Sequence, residues 1–172
     1  MCGYEPTSAK TVGNILQRCT SFKCKMLLGS FTPQIIYPEP PTVPTVRLKT
    51  YLVEDNATIR ENLIATLEEL VDAENIGTAD NENDAKSWLL ANPQGWDLAI
   101  LDLFLKQGSG LGVLAACRDR KPSQKVVVLS NYATTDIRQR CAQLGVDAVF
   151  DKSNEIDALV EFCLKQSGTS TV

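Results

Sequence analysis

The sequence predicts an α/β domain of the (βα)5 type, a doubly wound five-stranded parallel sheet covered by helices, with an extended N-terminal tail. From about Val46 onward, short apolar runs alternate with longer segments whose apolar residues recur at helical spacing. This alternation is typical of a parallel sheet whose connections are helices. A second observation agrees with it, because polar residues follow the apolar runs at the positions where such sheets carry their functional sites.

The predicted strands are apolar runs that are too short for helices and are bounded by polar or turn-forming residues. The first, third and fourth are almost continuously apolar, which favours central positions covered on both faces. The five strands are expected at Leu48–Val53, Asn75–Ala79, Leu98–Leu101, Val126–Leu129 and Ala148–Phe150.

Five amphipathic segments follow these strands. Apolar residues three or four positions apart form one face of a helix, which we expect to pack on the sheet. Asn81 is expected to cap the second helix, Gly145 to end the fourth, and Ser153 to precede the fifth. The apolar positions are Ile59, Leu63, Leu67 and Leu70; Ala85, Trp88 and Leu89; Leu111, Leu114 and Ala115; Ile137, Cys141 and Leu144; and Ile156, Leu159, Val160, Cys163 and Leu164.

Residues 1–45 differ from the rest of the chain in composition and in the spacing of apolar residues. They hold most of the prolines, including those of Tyr37–Pro41, and show no sustained apolar period. We therefore predict a disordered or loosely docked tail, or an upstream segment before the true start codon. Its basic residues are not followed by the apolar core of a secretion signal. A single globular domain is expected at residues 46–168, with no further domain after Gln166.

Composition restricts the function classes. A net charge of −4 and a pI near 4.9 give no attraction to phosphates, so direct nucleic-acid binding is disfavoured. No apolar run reaches the roughly 18 residues of a membrane helix, so no membrane partner is expected. The cysteines form no CxxC pair and are expected to be reduced in the cytoplasm; they are Cys2, Cys19, Cys24, Cys117, Cys141 and Cys163. Without histidine, the chemistry must use carboxylates, hydroxyls and lysines.

Five polar residues stand where the predicted strands end. They are Glu54 and Asp55 after the first strand, Asp102 after the third, Ser130 after the fourth and Lys152 after the fifth. The carboxyl ends of parallel strands share one edge of the sheet, so these side chains are expected to converge. Three carboxylates repel one another unless a cation intervenes, and Mg2+ suits oxygen ligands. A carboxylate held there can attack phosphorus, while a hydroxyl and an ammonium stabilise charge on the phosphoryl oxygens.

Each residue also has an ordinary interpretation when taken alone. The acidic pair could merely cap the first helix, Asp102 could be a turn residue, and Ser130 and Lys152 could be strand-end and surface residues. Their joint order favours the functional interpretation. Trp88 and Trp96 are assigned to packing, because neither falls in the acidic cluster.

Four segments, in order, resemble motifs of the response-regulator receiver family, and the resemblance covers roughly Val46 to Gln166. They are the acidic pair within Tyr51–Asn56, the segment Leu101–Leu103 with Gly108 and Gly110 behind it, Val127–Ser130, and Phe150–Lys152. The resemblance implies a flavodoxin-like, CheY-like receiver domain of the single-domain type, acting in a two-component phosphorelay.

The same resemblance implies a role for each site residue. Asp102 would accept a phosphoryl group from a histidine kinase or a histidine phosphotransfer protein, and Ser130 and Lys152 would bind the phosphoryl oxygens. The implied Mg2+ ligands are Glu54, Asp55, Asp102 and the backbone carbonyl of Phe104. Movement of the serine would repack the surface around the fourth helix, fifth strand and fifth helix. Phosphorylation would thereby control binding to a downstream protein of unknown identity, and homodimerisation is left open.

The sequence departs from the family pattern beside these residues. Val149 stands at the position of the switch aromatic, and Phe150, one place later, is expected to point to the opposite face of its strand. Switching through an aromatic side chain is therefore not expected. Asn131 is larger than the residue usual beside the serine, and this crowding predicts a long-lived phosphoryl group.

Two alternatives come from other classes of protein. A phosphatase of the haloacid dehalogenase type also uses an aspartate nucleophile after a strand, but its second aspartate is replaced here by Phe104. A degenerate receiver could act as a constitutive interaction module without phosphorylation. The intact acidic, serine and lysine set argues against that alternative.

Overall fold

The structure is a computed structural model that describes residues 47–168, and within them strands and helices alternate as the sequence predicts. The predicted tail at residues 1–45 lies outside the described residues. The elements are β1 Lys49–Val53, α1 Ala57–Val71, β2 Glu74–Ala79, α2 Glu82–Ala91, β3 Leu98–Leu101, α3 Gly110–Ala116, β4 Lys125–Ser130, α4 Thr135–Gln143, β5 Ala148–Asp151 and α5 Ile156–Gln166.

The strands form a parallel sheet with the order β2-β1-β3-β4-β5. The three strands predicted to be central occupy the central positions. The strand order reverses direction beside β1, where the chain first adds β2 on one side and then β3 on the other. In sheets of this kind the crevice at the carboxyl ends near the reversal is the usual place for a functional site.

Two apolar layers cover the two faces of the sheet. Alternate residues of each strand point to opposite faces, so β4 contributes Val126 and Val128 to one layer and Val127 and Leu129 to the other. Val149 lies in the first of these layers and Phe150 in the second. The prediction that these neighbours point to opposite faces of the strand is therefore confirmed.

Some details of the element boundaries differ from the predictions. β2, β4 and β5 extend one residue or more beyond the predicted limits, and β1 begins at Lys49 rather than Leu48. In α1 the buried stripe continues to Val71, whereas Leu70 is 55% exposed. Including Leu70 was wrong, because Leu63, Leu67 and Val71 are spaced four residues apart and share one line on the helix.

The helix ends give a mixed result. Asn81 caps α2 as predicted, its side chain accepting a hydrogen bond from the N–H of Asp84. Ser153 precedes α5 as predicted, but it lies two residues before the N-cap position, which Glu155 occupies without a side-chain cap. The reason is local, because the N–H of Ser153 donates to the Asp151 carboxylate at 2.8 Å and the chain makes a turn before the helix. α4 ends at Gln143, two residues before Gly145.

The described cysteines and tryptophans are packing residues, as predicted. Cys117, Cys141 and Cys163 are free thiols in the core, and burial raises the pKa of Cys117 to about 11 and that of Cys163 to about 12. Trp88 stacks on Tyr51 with ring centroids 4.0 Å apart, and Trp96 is buried. Among residues 47–168, no helix has the length and apolar character needed to cross a membrane.

Candidate functional site

Three carboxylates meet at the carboxyl edge of the sheet. Glu54 and Asp55 directly follow β1, and Asp102 directly follows β3, which pairs with β1 in parallel register. This pairing places the three side chains together, with oxygen atoms within 4.8 Å of one another. Glu54 and Asp102 are 2% and 7% exposed, so their charges are held largely out of water. A buried cluster of this kind requires a compensating cation.

Backbone amide groups fix the orientation of the carboxylates. Glu54 accepts a hydrogen bond from the N–H of Asn56 at 3.1 Å, and Asp102 accepts one from the N–H of Phe104 at 3.2 Å. Asp55 accepts from the N–H of Lys106 at 3.0 Å. Each carboxylate is thus held by the loop that follows β1 or β3.

Lys152 supplies a cation inside this cluster. Its ammonium lies 2.5 Å from Glu54 Oε2 and 2.8 Å from Asp102 Oδ2, and its side chain is only 8% exposed. Burial works against the charged form, but the hydrogen bonds to Asp102 and Glu54 outweigh it and raise the pKa of Lys152 above its usual value. The lysine is therefore protonated at neutral pH.

Ser130 ends β4 beside this cluster and is fully buried. Its hydroxyl oxygen accepts a hydrogen bond from the N–H of Tyr132 at 3.3 Å, and its carbonyl accepts one from the N–H of Lys152 at 3.1 Å. The backbone thus holds the serine and the lysine next to each other, since β4 and β5 are paired up to Ser130 and Asp151.

Two aromatic side chains border the site, and only one belongs to the predicted set. Phe104 and Tyr132 are 54% and 62% exposed, and their rings meet edge to face with centroids 5.2 Å apart. Asn131, which precedes the tyrosine, is exposed. Tyr132 could not be predicted as a site residue, because an aromatic residue in a polar loop has no periodic neighbours that would indicate its contacts.

The loop that carries Asp102 is held by a residue that the sequence analysis missed. Glu82, at the start of α2, accepts a hydrogen bond from the N–H of Ser109 at 2.7 Å, and its own N–H donates to the carbonyl of Gln107. Gly110 also packs closely against the main chain of this loop, because a Cβ there would lie 2.0 Å from the carbonyl oxygen of Asp102. The cluster of glycines at Gly108–Gly112 was the available signal for this tight packing.

Comparison with known proteins agrees with this architecture. The sequence pattern of the response regulator receiver domain family matches residues 50–163. A protein of Pseudomonas aeruginosa described as a transcriptional regulator is 32% identical over 85 residues, a match that spans 49% of this chain and 40% of that protein. The match therefore covers less than half of that relative's length.

Solved structures show the same fold at low sequence identity. A LuxR-family DNA-binding response regulator from Staphylococcus aureus is 24% identical with a TM-score of 0.62, covering 70% of this chain and 98% of that one. A Burkholderia pseudomallei response regulator was solved with a phosphorylated aspartic acid, a calcium ion and citrate. It is 22% identical with a TM-score of 0.58, and the match covers 71% of this chain and 69% of that one. The response regulator domain of Thermotoga maritima CheB is 15% identical with a TM-score of 0.58, covering 73% of this chain and 99% of that one.

The fold and the acidic cluster define a domain of the CheY-like, flavodoxin-like class. Because the family pattern matches most of the described residues, the chain belongs to the response regulator receiver family of two-component signalling. Members of this family are mainly signalling modules that interact with kinases and effector domains.

Proposed function

We propose that this chain is a phospho-accepting receiver and that Asp102 takes a phosphoryl group from a histidine kinase or a histidine phosphotransfer protein. The observation that carries the proposal is the position of Lys152, whose ammonium bridges Glu54 and Asp102 in a buried site. A buried ammonium against a carboxylate is suited to receive a transferring group that carries more negative charge. The phosphorylated aspartic acid of the Burkholderia pseudomallei neighbour supports the same assignment by analogy.

The transfer itself is a simple exchange of bonds. A carboxylate oxygen of Asp102 attacks the phosphorus of a phosphohistidine, so that a P–O bond forms as the P–N bond breaks. The bonding electron pair leaves with the imidazole nitrogen, which then binds a proton. Ser130 and Lys152 bind phosphoryl oxygens and stabilise their charge, and for this step Lys152 exchanges its contact with Asp102 for one with the phosphoryl group.

Mg2+ fits the acidic cluster, since its oxygen atoms lie within 4.8 Å of one another and hard oxygen ligands are those the ion prefers. The proposed ligands are Glu54, Asp55, Asp102 and the backbone carbonyl of Phe104. When bound, the ion neutralises charge on the carboxylates and on the phosphoryl oxygens. Asp55 is the carboxylate most open to solvent and also lies 3.6 Å from the ammonium of Lys106.

The proposed output is a change in protein–protein binding. Phosphorylation would alter the surface around α4, β5 and α5, which a downstream protein or a second copy of the chain would then recognise. Val149 and Phe150 would not act as an aromatic switch, because the first is not aromatic and the second packs in the opposite layer. A cytoplasmic location without direct nucleic-acid or membrane contact belongs to this proposal.

The test is phosphoryl uptake from acetyl phosphate and Mg2+, followed by intact-mass spectrometry. Wild type is expected to gain one labile phosphoryl group, and Asp102→Asn is expected to gain none. Asp119→Asn is the matched control, since Asp119 is an exposed aspartate after α3, away from the cluster. If the wild type gains nothing, phospho-acceptance is wrong and the constitutive interaction module is favoured. Turnover of a phosphate ester would instead favour the phosphatase alternative.

A further inference from the structure

One arginine of α4 contacts both loops that carry the phosphoryl-binding residues. Arg138 Nε donates to the carbonyl of Ala133 at 3.0 Å, and its Nη2 lies 2.6 Å from Glu155 Oε2. Ala133 is the third residue after Ser130, and Glu155 is the third residue after Lys152. The guanidinium therefore spans the gap between these two loops.

The contact with Glu155 reaches the lysine loop through more than one bond. The same carboxylate oxygen that binds Arg138 accepts a hydrogen bond from the N–H of Asp151 at 2.7 Å. The N–H of Glu155 donates in turn to the carbonyl of Asp151 at 2.9 Å. These bonds close the turn from Asp151 to Glu155, which contains Lys152. Holding Glu155 in place therefore also holds the main chain at Lys152.

A third contact joins Arg138 to β5. Its Nη1 donates to the carbonyl of Val149, three residues before Lys152. Because Val149 is not aromatic, α4 and β5 are not linked there by a large side chain, and the arginine links them through the main chain instead. A planar guanidinium with several fixed donors is suited to hold three acceptors at once.

We propose that Arg138 is a positioning residue that holds the Ser130 loop and the Lys152 loop in register, so that their hydroxyl and ammonium meet the phosphoryl group as a pair. The inference rests on the proposed function, since it concerns how the same site is kept in its reactive geometry.

The first experiment measures the rate of phosphoryl uptake from acetyl phosphate at saturating Mg2+. Arg138→Met keeps the apolar stem and removes every donor, and is expected to reduce the rate about tenfold. Arg138→Lys keeps the charge but not the planar donor set, so its uptake rate is expected to lie between those of wild type and Arg138→Met. Arg118→Met is the control, since Arg118 is an exposed arginine after α3 whose side chain makes no hydrogen bond or ion pair within residues 47–168.

A double-mutant cycle separates positioning from a general loss of stability. If Arg138 acts by placing the loops, Arg138→Met costs less in a Ser130→Ala background than in the wild type, because one of the groups it positions is already gone. A merely structural role would reduce the uptake rate by the same factor in both backgrounds. Equal reductions of the rate would therefore overturn the proposal.

The remaining outcomes also decide between the claims. A wild type that takes up no phosphoryl group overturns the proposed function. A wild type that takes it up, while Arg138→Met does so at an unchanged rate, overturns only the positioning role. If thermal melting shows that Arg138→Met does not fold, Glu155→Gln removes the charged partner with little change in size, and unchanged uptake by that variant rejects the proposal.

Discussion

Lys152 and Asp102 form a buried ion pair across the carboxyl edge of the sheet, with 2.8 Å between the ammonium and Asp102 Oδ2. The two residues are 50 positions apart in the sequence, and β3 and β5 are separated in the sheet by β4. Glu54 shares the same ammonium from β1. This single cation therefore ties together the ends of three strands and compensates two buried carboxylates.

Removing this cation is expected to destabilise the fold. In Lys152→Met, Glu54 and Asp102 are left as uncompensated buried charges, for which the expected loss is roughly 3–5 kcal/mol of unfolding free energy. Added Mg2+ is expected to restore more stability in the variant than in the wild type, since the ion replaces the missing charge. Urea denaturation in EDTA and in Mg2+ measures both effects.

Lys165→Met is the control for that measurement. Lys165 makes an ion pair with Glu161 on the exposed side of α5, and both side chains are more than 70% exposed. Its loss is expected to cost at most about 0.5 kcal/mol. Equal stability of Lys152→Met and wild type in EDTA would contradict the assigned role of the buried pair.

The same pair predicts a pH dependence at the alkaline end. Because the pKa of Lys152 is raised in the folded protein, the folded state holds this proton more tightly than the unfolded state. The resulting stability is fully present below the unfolded lysine pKa of about 10.4 and is lost as pH rises through the higher folded pKa. The difference in unfolding free energy between wild type and Lys152→Met is therefore expected to shrink above that pH. A constant difference would argue against the raised pKa.

Tyr51 offers a test of a buried hydroxyl. Its Oη is buried and has no hydrogen-bond partner within the described part of the chain, while its ring stacks on Trp88. Tyr51→Phe keeps the stacking and removes the unpaired group, so the unfolding free energy is expected to stay within about 1 kcal/mol of wild type or to rise. Thermal or urea unfolding measures this. A loss above about 2 kcal/mol would indicate a bound water that satisfies the hydroxyl.

Gly110 tests the packing of the acceptor loop. A Cβ at this position would lie 2.0 Å from the carbonyl oxygen of Asp102, and a main-chain atom cannot move aside cheaply. Gly110→Ala is expected to cost about 1–3 kcal/mol of stability and to slow phosphoryl uptake. In the control Gly95→Ala, the nearest atom would lie 3.6 Å away, and both properties are expected to stay near wild type. An unperturbed Gly110→Ala would show that the loop has room to shift.

Asn131 tests the predicted lifetime of the phosphoryl group. If its side chain crowds the approach of water to phospho-Asp102, the wild type holds the group for longer than seconds and Asn131→Ala loses it faster. Decay of the phosphorylated mass after removal of the donor measures the half-life. Asn62→Ala, an exposed asparagine on α1, is expected to leave the decay unchanged. A wild-type half-life of only seconds would make this prediction wrong.

Local patterns were sufficient to predict the order of the elements. Apolar residues recur at every second position of a strand and at every third or fourth position of a helix. This spacing reflects which side chains are buried, and it can be read from any short window of sequence. The same patterns placed the acidic and basic residues at strand ends, so the convergence of Glu54, Asp55, Asp102 and Lys152 could be anticipated from topology. The choice of Leu70 over Val71 failed, because both leucine and valine fit an apolar stripe and only packing against the sheet distinguishes them.

Apolar spacing and the residues at strand ends were enough to predict the class of fold and the chemical groups at the edge of the sheet. The contacts that hold those groups in place could be identified only in the folded domain. Glu82 supports the Asp102 loop from α2, and Arg138 joins the Ser130 and Lys152 loops from α4. Such contacts are between residues far apart in the chain and depend on side-chain reach and on main-chain acceptors, for which no periodic pattern exists. Long-range hydrogen bonds of this kind become visible only when the strands and helices are packed together.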